Sequence, residues 1–160
     1  LLAAWLARFD IARRTIAAHG LSRYMALALL LGYAWLAIGG IAWVAMAMGA
    51  ATRDAALHAL GLGFIVSMVM AHAPVILPAV ARVKLLFGAW FYLPLALLHG
   101  SLALRLGPGL QNDGMRQFGA LLNALALLLF VLTAAGSAWA WKRQKDRAPP
   151  SRQRRDPAGR

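Results

Sequence analysis

The chain is 160 residues long, 61% hydrophobic and 14% charged; soluble domains run at about 45–50% apolar and about 25% charged, so it belongs to the membrane class. Cysteine is absent, which excludes disulfides, thiolate zinc sites, cysteine-held iron–sulfur clusters and a cysteine nucleophile. The formal charge of +12 comes from 17 Lys and Arg against five Asp; its placement in short loops and a tail reads as membrane topology, and no nucleic-acid partner is expected.

The opening LLAAWLARFD has neither a basic n-region nor a small-residue cleavage site, so it is a poor signal peptide. It reads as the end of an earlier membrane helix, leaving the bilayer near Arg8 and Asp10, with further helices expected upstream in a longer chain. Residues 1–23 thus form a helix end and a basic linker. The linker carries Arg13, Arg14 and a solvated His19, and Ile11, Ile16 and Leu21 let it lie along the interface. A four-helix transmembrane domain follows over 24–141. Its first span runs over about 24–48, free of charge between Arg23 and Arg53.

The second span, over about 55–80, lies in a stretch of 27 residues between Asp54 and Arg82 without another charge, more than the about 20 needed to cross a bilayer. It holds His58 and His72. At about 100° per residue their separation falls roughly 40° short of four full turns, so uniform α-helix puts both on nearly one face, about 21 Å apart. Pro74 and Pro78 predict a bend or an end just after His72. The segment GLGF at 61–64 is mid-span and is not a phosphate loop. Ser67, Thr133 and Ser137 are expected to bond back to their own helices or to pack closely.

The third span covers about 85–104 and contains Pro94 and His99, and the turn-rich GPGLQNDG follows at 107–114. The fourth covers about 117–141. The tail 142–160 is basic, Pro-containing and expected to be disordered. With four spans, fourteen Lys and Arg fall on the side of the two ends and only Arg53, Arg105 and Arg116 on the other. The positive-inside rule then places both ends in the cytoplasm of a bacterial inner membrane.

That orientation puts His58, His99 and Asn123 in one layer near the outer face, on three helices, with Met46 and Met48 approaching it and His72 deeper. Ionisable side chains within hydrocarbon are costly and mark a pathway, a ligand or a partner. Haem iron takes axial imidazoles in an apolar slot, and copper suits imidazole with thioether. Gly61 and Gly63 would let a flat macrocycle or a backbone approach. His58, His72 and His99 are therefore the candidate cofactor and metal ligands, for haem b, copper or both. No partner for His72 is visible within the chain. The methionines read chiefly as packing, and the spans contain no carboxylate that could relay protons. Two other functions stay open: a permeation segment with a His- and Asn-lined path and a Pro hinge, and a structural subunit whose histidines join helices.

The stretch HALGLGFIVSMVMAHAPVILPAV, preceded by YMALALLLGYAWLAIGG and followed by a helix ending LALLHG, resembles the C-terminal part of the NnrS-type integral membrane proteins. The resemblance covers about residues 1–141. It implies a haem- and copper-containing inner-membrane protein associated with nitric oxide response and denitrification, with His58, His72 and His99 carried over as ligands. The HAPVILP ending departs from the better-known members. The fold expected is an all-α transmembrane bundle of four full spans and a helix end. The expected partners are the lipid bilayer and either the further helices of a longer chain or partner subunits, and whether it is an enzyme is left open.

Overall fold

The structure, a computed structural model, describes residues 1–82 and 84–147. All regular elements among them are helical. They run α1 (Leu2–Phe9), α2 (Ala12–Thr15), α3 (Leu21–Ala47), α4 (Arg53–His58), a π-helix (Ala59–Val66), α5 (Ser67–Ala81), α6 (Tyr92–Leu106) and α7 (Asp113–Arg147), with short 3-10 turns at Ala89–Phe91 and Pro108–Leu110. Four stretches are long and apolar enough to cross a membrane: Leu21–Ala47, Arg53–Ala81, Ala89–Leu110 and Asp113–Arg147. The expected all-α bundle of four spans is the architecture observed.

Lipid offers no hydrophobic drive for helices to pair, so membrane bundles rely on small residues and close contact. The buried positions follow that rule: Ala26, Ala28, Ala42, Ala56, Ala59, Ala71 and Ala126 lie inside, while Ile41, Val80, Leu121 and Val131 stand exposed on the rim. Larger side chains meet where all four spans converge, with Tyr24, Met70, Phe91, Leu95, Leu98 and Phe130 in one cluster. Tyr24, Phe87, Phe91 and Tyr92 form an aromatic group at the end where α3 begins, with Tyr24 5.3 Å from Tyr92, edge to face, a favoured arrangement.

The second span neither ends after His72 nor stays uniform. α5 continues through Pro74 and Pro78 to Ala81, where Arg82 closes it with a positive φ of 54°. The irregularity instead lies earlier, in eight π-helical residues that begin directly after His58. A π-helix turns less per residue than an α-helix. The uniform 100° count that placed His58 and His72 on one face therefore does not hold between them.

The third span begins later than expected. Residues 84–88 have no regular structure, and Gly88 is extended, with φ −155°. Ser137 of α7 explains this, since its Oγ donates to the Leu86 carbonyl at 2.7 Å rather than to its own helix. Replacing Ser137 by Ala is expected to cost about 0.5–1.5 kcal/mol, the net value of one hydrogen bond. A lowered midpoint of thermal unfolding in detergent, restored by Ser137→Thr, is the check. α7 also outruns the expected fourth span and remains helical through Lys142–Arg147. The rest of the tail expected to be disordered, 148–160, lies outside the described residues.

The N-terminal stretch is helical over Leu2–Phe9 and docks on α3. The Tyr33 hydroxyl, halfway along α3, donates to Asp10 Oδ2 at 2.9 Å. Residues 1–10 are thereby tied to the middle of α3. They run beside α3, with Leu1, Leu2, Ala3 and Ala4 facing its second half across an apolar groove. The cause is a pairing between positions 23 apart in sequence, which no local pattern encodes.

Candidate functional site

His99 sits where three spans meet. Its Nδ1 accepts the indole N–H of Trp35 from α3 at 2.8 Å. An imidazole that accepts at Nδ1 is neutral and carries its proton at Nε2. That Nε2–H points to Ser67 Oγ at 3.3 Å, and Ser67 in turn donates to the Gly63 carbonyl. The chain Trp35–His99–Ser67–Gly63 thus ties α3, α6 and the π-helical part of the second span together. Gly63 permits it: a Cβ there would collide with the Trp35 side chain. As arranged, His99 has no free lone pair for a metal, because Trp35 occupies the one it has. A tryptophan in mid-span must find an acceptor for its N–H, which was the readable sign of this network.

His58 belongs to a second centre. Its Nδ1 lies 2.8 Å from the Asp54 carbonyl one turn earlier and 3.2 Å from Asp54 Oδ1. Arg105 reaches across from α6, with Nη2 3.0 Å from the same carboxylate oxygen. His58, Asp54 and Arg105 therefore join the ends of two spans. Beside His58, a Cβ on Gly61 would meet nothing within 4 Å, so that flank is open.

His72 is held in the same manner, Nδ1 lying 2.8 Å from the Met68 carbonyl. It borders an apolar groove of about 330 Å³ with Met68, Val69, Ala73, Ile76 and Leu77. Every one of those residues is on α5, and Val69 and Ile76 are exposed. His72 thus faces the outside of the four-span bundle. At both His58 and His72 the Nδ1–H is spent on the helix backbone, and Nε2 has no hydrogen-bond partner among the described residues.

The expected polar layer resolves into separate centres. Asn123 accepts from Ser101 Oγ at 2.6 Å, and among the described residues no hydrogen bond joins it to His58 or His99. Met48 is exposed, and Met68 packs against Gly32 of α3. Among the described residues no three His or carboxylate side chains gather closely enough to hold a metal ion unaided. His19 is exposed on the loop before α3.

Fold and site together define a polytopic α-helical membrane protein whose spans are cross-linked by polar side chains. The profile of a family described as a domain of unknown function, DUF8744, matches residues 1–139, and the chain belongs to that family. No curated protein and no solved structure matches it.

Proposed function

We propose that this protein binds haem b or copper within the membrane through Nε2 of His58 and His72. The observation that carries the reading is the shared state of these two imidazoles. A ligating histidine needs its second nitrogen fixed by a carbonyl or carboxylate, which sets the tautomer and raises the basicity of the free nitrogen. The Asp54 and Met68 carbonyls provide this. The surroundings fit such a group: the open flank at Gly61 and the apolar groove at His72 are each one wall of a slot. Both walls belong to the second span, so the opposite wall and further ligands come from another segment or subunit. When bound, the metal would supply one-electron chemistry; His58 and His72 would hold it, their Nδ1 atoms fixed by the Asp54 and Met68 carbonyls.

The resemblance to NnrS-type proteins supports a role in nitric oxide response or electron transfer. The distribution of Lys and Arg supports a bacterial inner membrane with the C-terminus cytoplasmic. His99, engaged on both nitrogens, is a positioning residue in this reading and not a ligand. Absorption spectra and elemental analysis of the whole chain purified in detergent test it. Expected are a Soret band or bound copper that His72→Ala and His58→Ala diminish and Trp35→Phe leaves in place. Protein expressed with ample haem and copper that carries neither would overturn the reading.

A further inference from the structure

We propose that the groove between α7 and the irregular segment 84–88 is a binding site for one anionic phospholipid. The groove encloses about 530 Å³, within the range of clefts that take small molecules. Leu86, Trp90, Leu132, Gly136 and Ala140 make it apolar, and Gln144 stands at its far end. It exists because residues 84–88 are not helical and are held to α7 by the bond from Ser137 to Leu86.

Its level in the membrane follows from α7. Residues 117–141 carry no charge, and about 20 such residues cross the hydrocarbon. The groove runs from Leu132 to Gln144, about 18 Å along the axis, so it passes the last uncharged turn and reaches the first cations. Trp90 and Trp139 are exposed at this level, as tryptophans at a membrane–water interface are. One end of the groove thus lies against hydrocarbon and the other against headgroups, as a phospholipid does.

Charge at the polar end is unbalanced. Arg82, Lys84, Lys142, Arg143, Lys145 and Arg147 come to this end of the bundle against one carboxylate of α7, Asp146. The ion pairs among the described residues all use Asp54 or Asp113, at the opposite end. Two of the cations border the groove. Arg147 continues the face of Gly136, Ala140 and Gln144 at helical spacing, and side chains on a helix lean toward its N-terminus, here back over Gln144. Lys84 is two residues from Leu86 and hence within about 7 Å of it.

A second observation points to a phosphate. The N–H groups of Leu86, Phe87 and Gly88 make no hydrogen bond among the described residues. Backbone donors at membrane depth need an acceptor, and phosphate oxygens accept from backbone N–H groups as well as from Lys and Arg. The occupant that satisfies both is a lipid with an acyl chain along Leu132 and Gly136 and its phosphodiester among Gln144, Lys84 and Arg147. Basic pockets between spanning helices hold anionic headgroups in this way. The groove shares no lining residue with the one at His72, and the inference is independent of any metal.

The test is quenching of Trp90 by lipids brominated in their acyl chains, with the whole chain in phosphatidylcholine nanodiscs. The Trp90 signal is the difference between the wild type and Trp90→Phe. Brominated phosphatidylglycerol is expected to quench it at a mole fraction roughly tenfold or more below that of brominated phosphatidylcholine, since each basic residue at an anionic surface is worth about fivefold. Lys84→Gln and Arg147→Gln should each weaken that preference about fivefold. Gly136→Leu keeps every charge and fills the floor of the groove, where a Cβ meets nothing within 4 Å. It is expected to abolish the preference without lowering the unfolding midpoint. Equal quenching by the two lipids would overturn the proposal. So would a preference that survives Gly136→Leu, because the cations would then attract lipid without seating it. A preference indifferent to both glutamine variants would do the same, whatever Gly136→Leu does to folding.

Discussion

Gly63→Ala is expected to destabilise the bundle by about 1–3 kcal/mol, the usual cost of an extra methyl in a packed site. The new Cβ would fall against Trp35 Cβ, Cγ and Cδ2, the farthest of them 2.9 Å away. Those atoms are the stem of the indole and not the free end of a flexible chain. They cannot retreat while the ring N–H is held by His99. Gly61→Ala is the counterpart two residues away, with nothing within 4 Å of its Cβ. There alanine relieves the helical penalty of glycine, worth up to about 1 kcal/mol. Thermal unfolding in detergent should therefore move in opposite directions for the two variants. Equal shifts would show that Trp35 does not occupy the place described.

His99→Leu is expected to cost roughly 2 kcal/mol, because it leaves both the Trp35 N–H and Ser67 short of a partner where water is scarce. Trp35→Phe should cost less, removing the donor together with its need. The pair combined should be less harmful than the sum of the two, with a coupling of about 0.6–1.7 kcal/mol, the range measured between membrane helices. A double-mutant cycle on unfolding midpoints reads that coupling, and additivity would mean that the contact carries nothing. The cycle also bears on the assignment of the histidines: Trp35→Phe frees Nδ1 of His99 without touching His58 or His72.

The spans were legible because long stretches without charge have few alternatives in a chain so poor in carboxylates. Their ends were less so. Residues 84–88 look apolar enough to be helical, but Ser137, about fifty positions away, captures the Leu86 carbonyl. At the other end of α7, Lys142, Arg143, Gln144 and Lys145 are good helix formers and carry the helix past the last apolar turn. The histidines were found as residues, but their roles were not. Periodicity assumes one helical pitch, and the π-helix at Ala59–Val66 breaks that assumption between His58 and His72. The partners of His99 were hidden differently: Trp35 and Ser67 are 64 and 32 positions from it. The contact of Asp10 with Tyr33 was hidden in the same way, by 23 positions of sequence.

The reach of α7 has a mechanical consequence. Its 35 residues make a rod about 52 Å long, against about 30 Å of hydrocarbon. Arg143 lies 3.6 Å over the Trp139 ring and Lys145 lies over Trp141, the residue types that mark the headgroup level. From that collar to Arg147 the rod continues for roughly 10 Å, about one Debye length at physiological salt. Lys142, Arg143, Lys145 and Arg147 thus stand along a stiff rod, their charges stepped outward over the distance at which attraction to acidic headgroups begins to fade. Shortening or lengthening that rod by a single turn would change how strongly these four charges feel the bilayer.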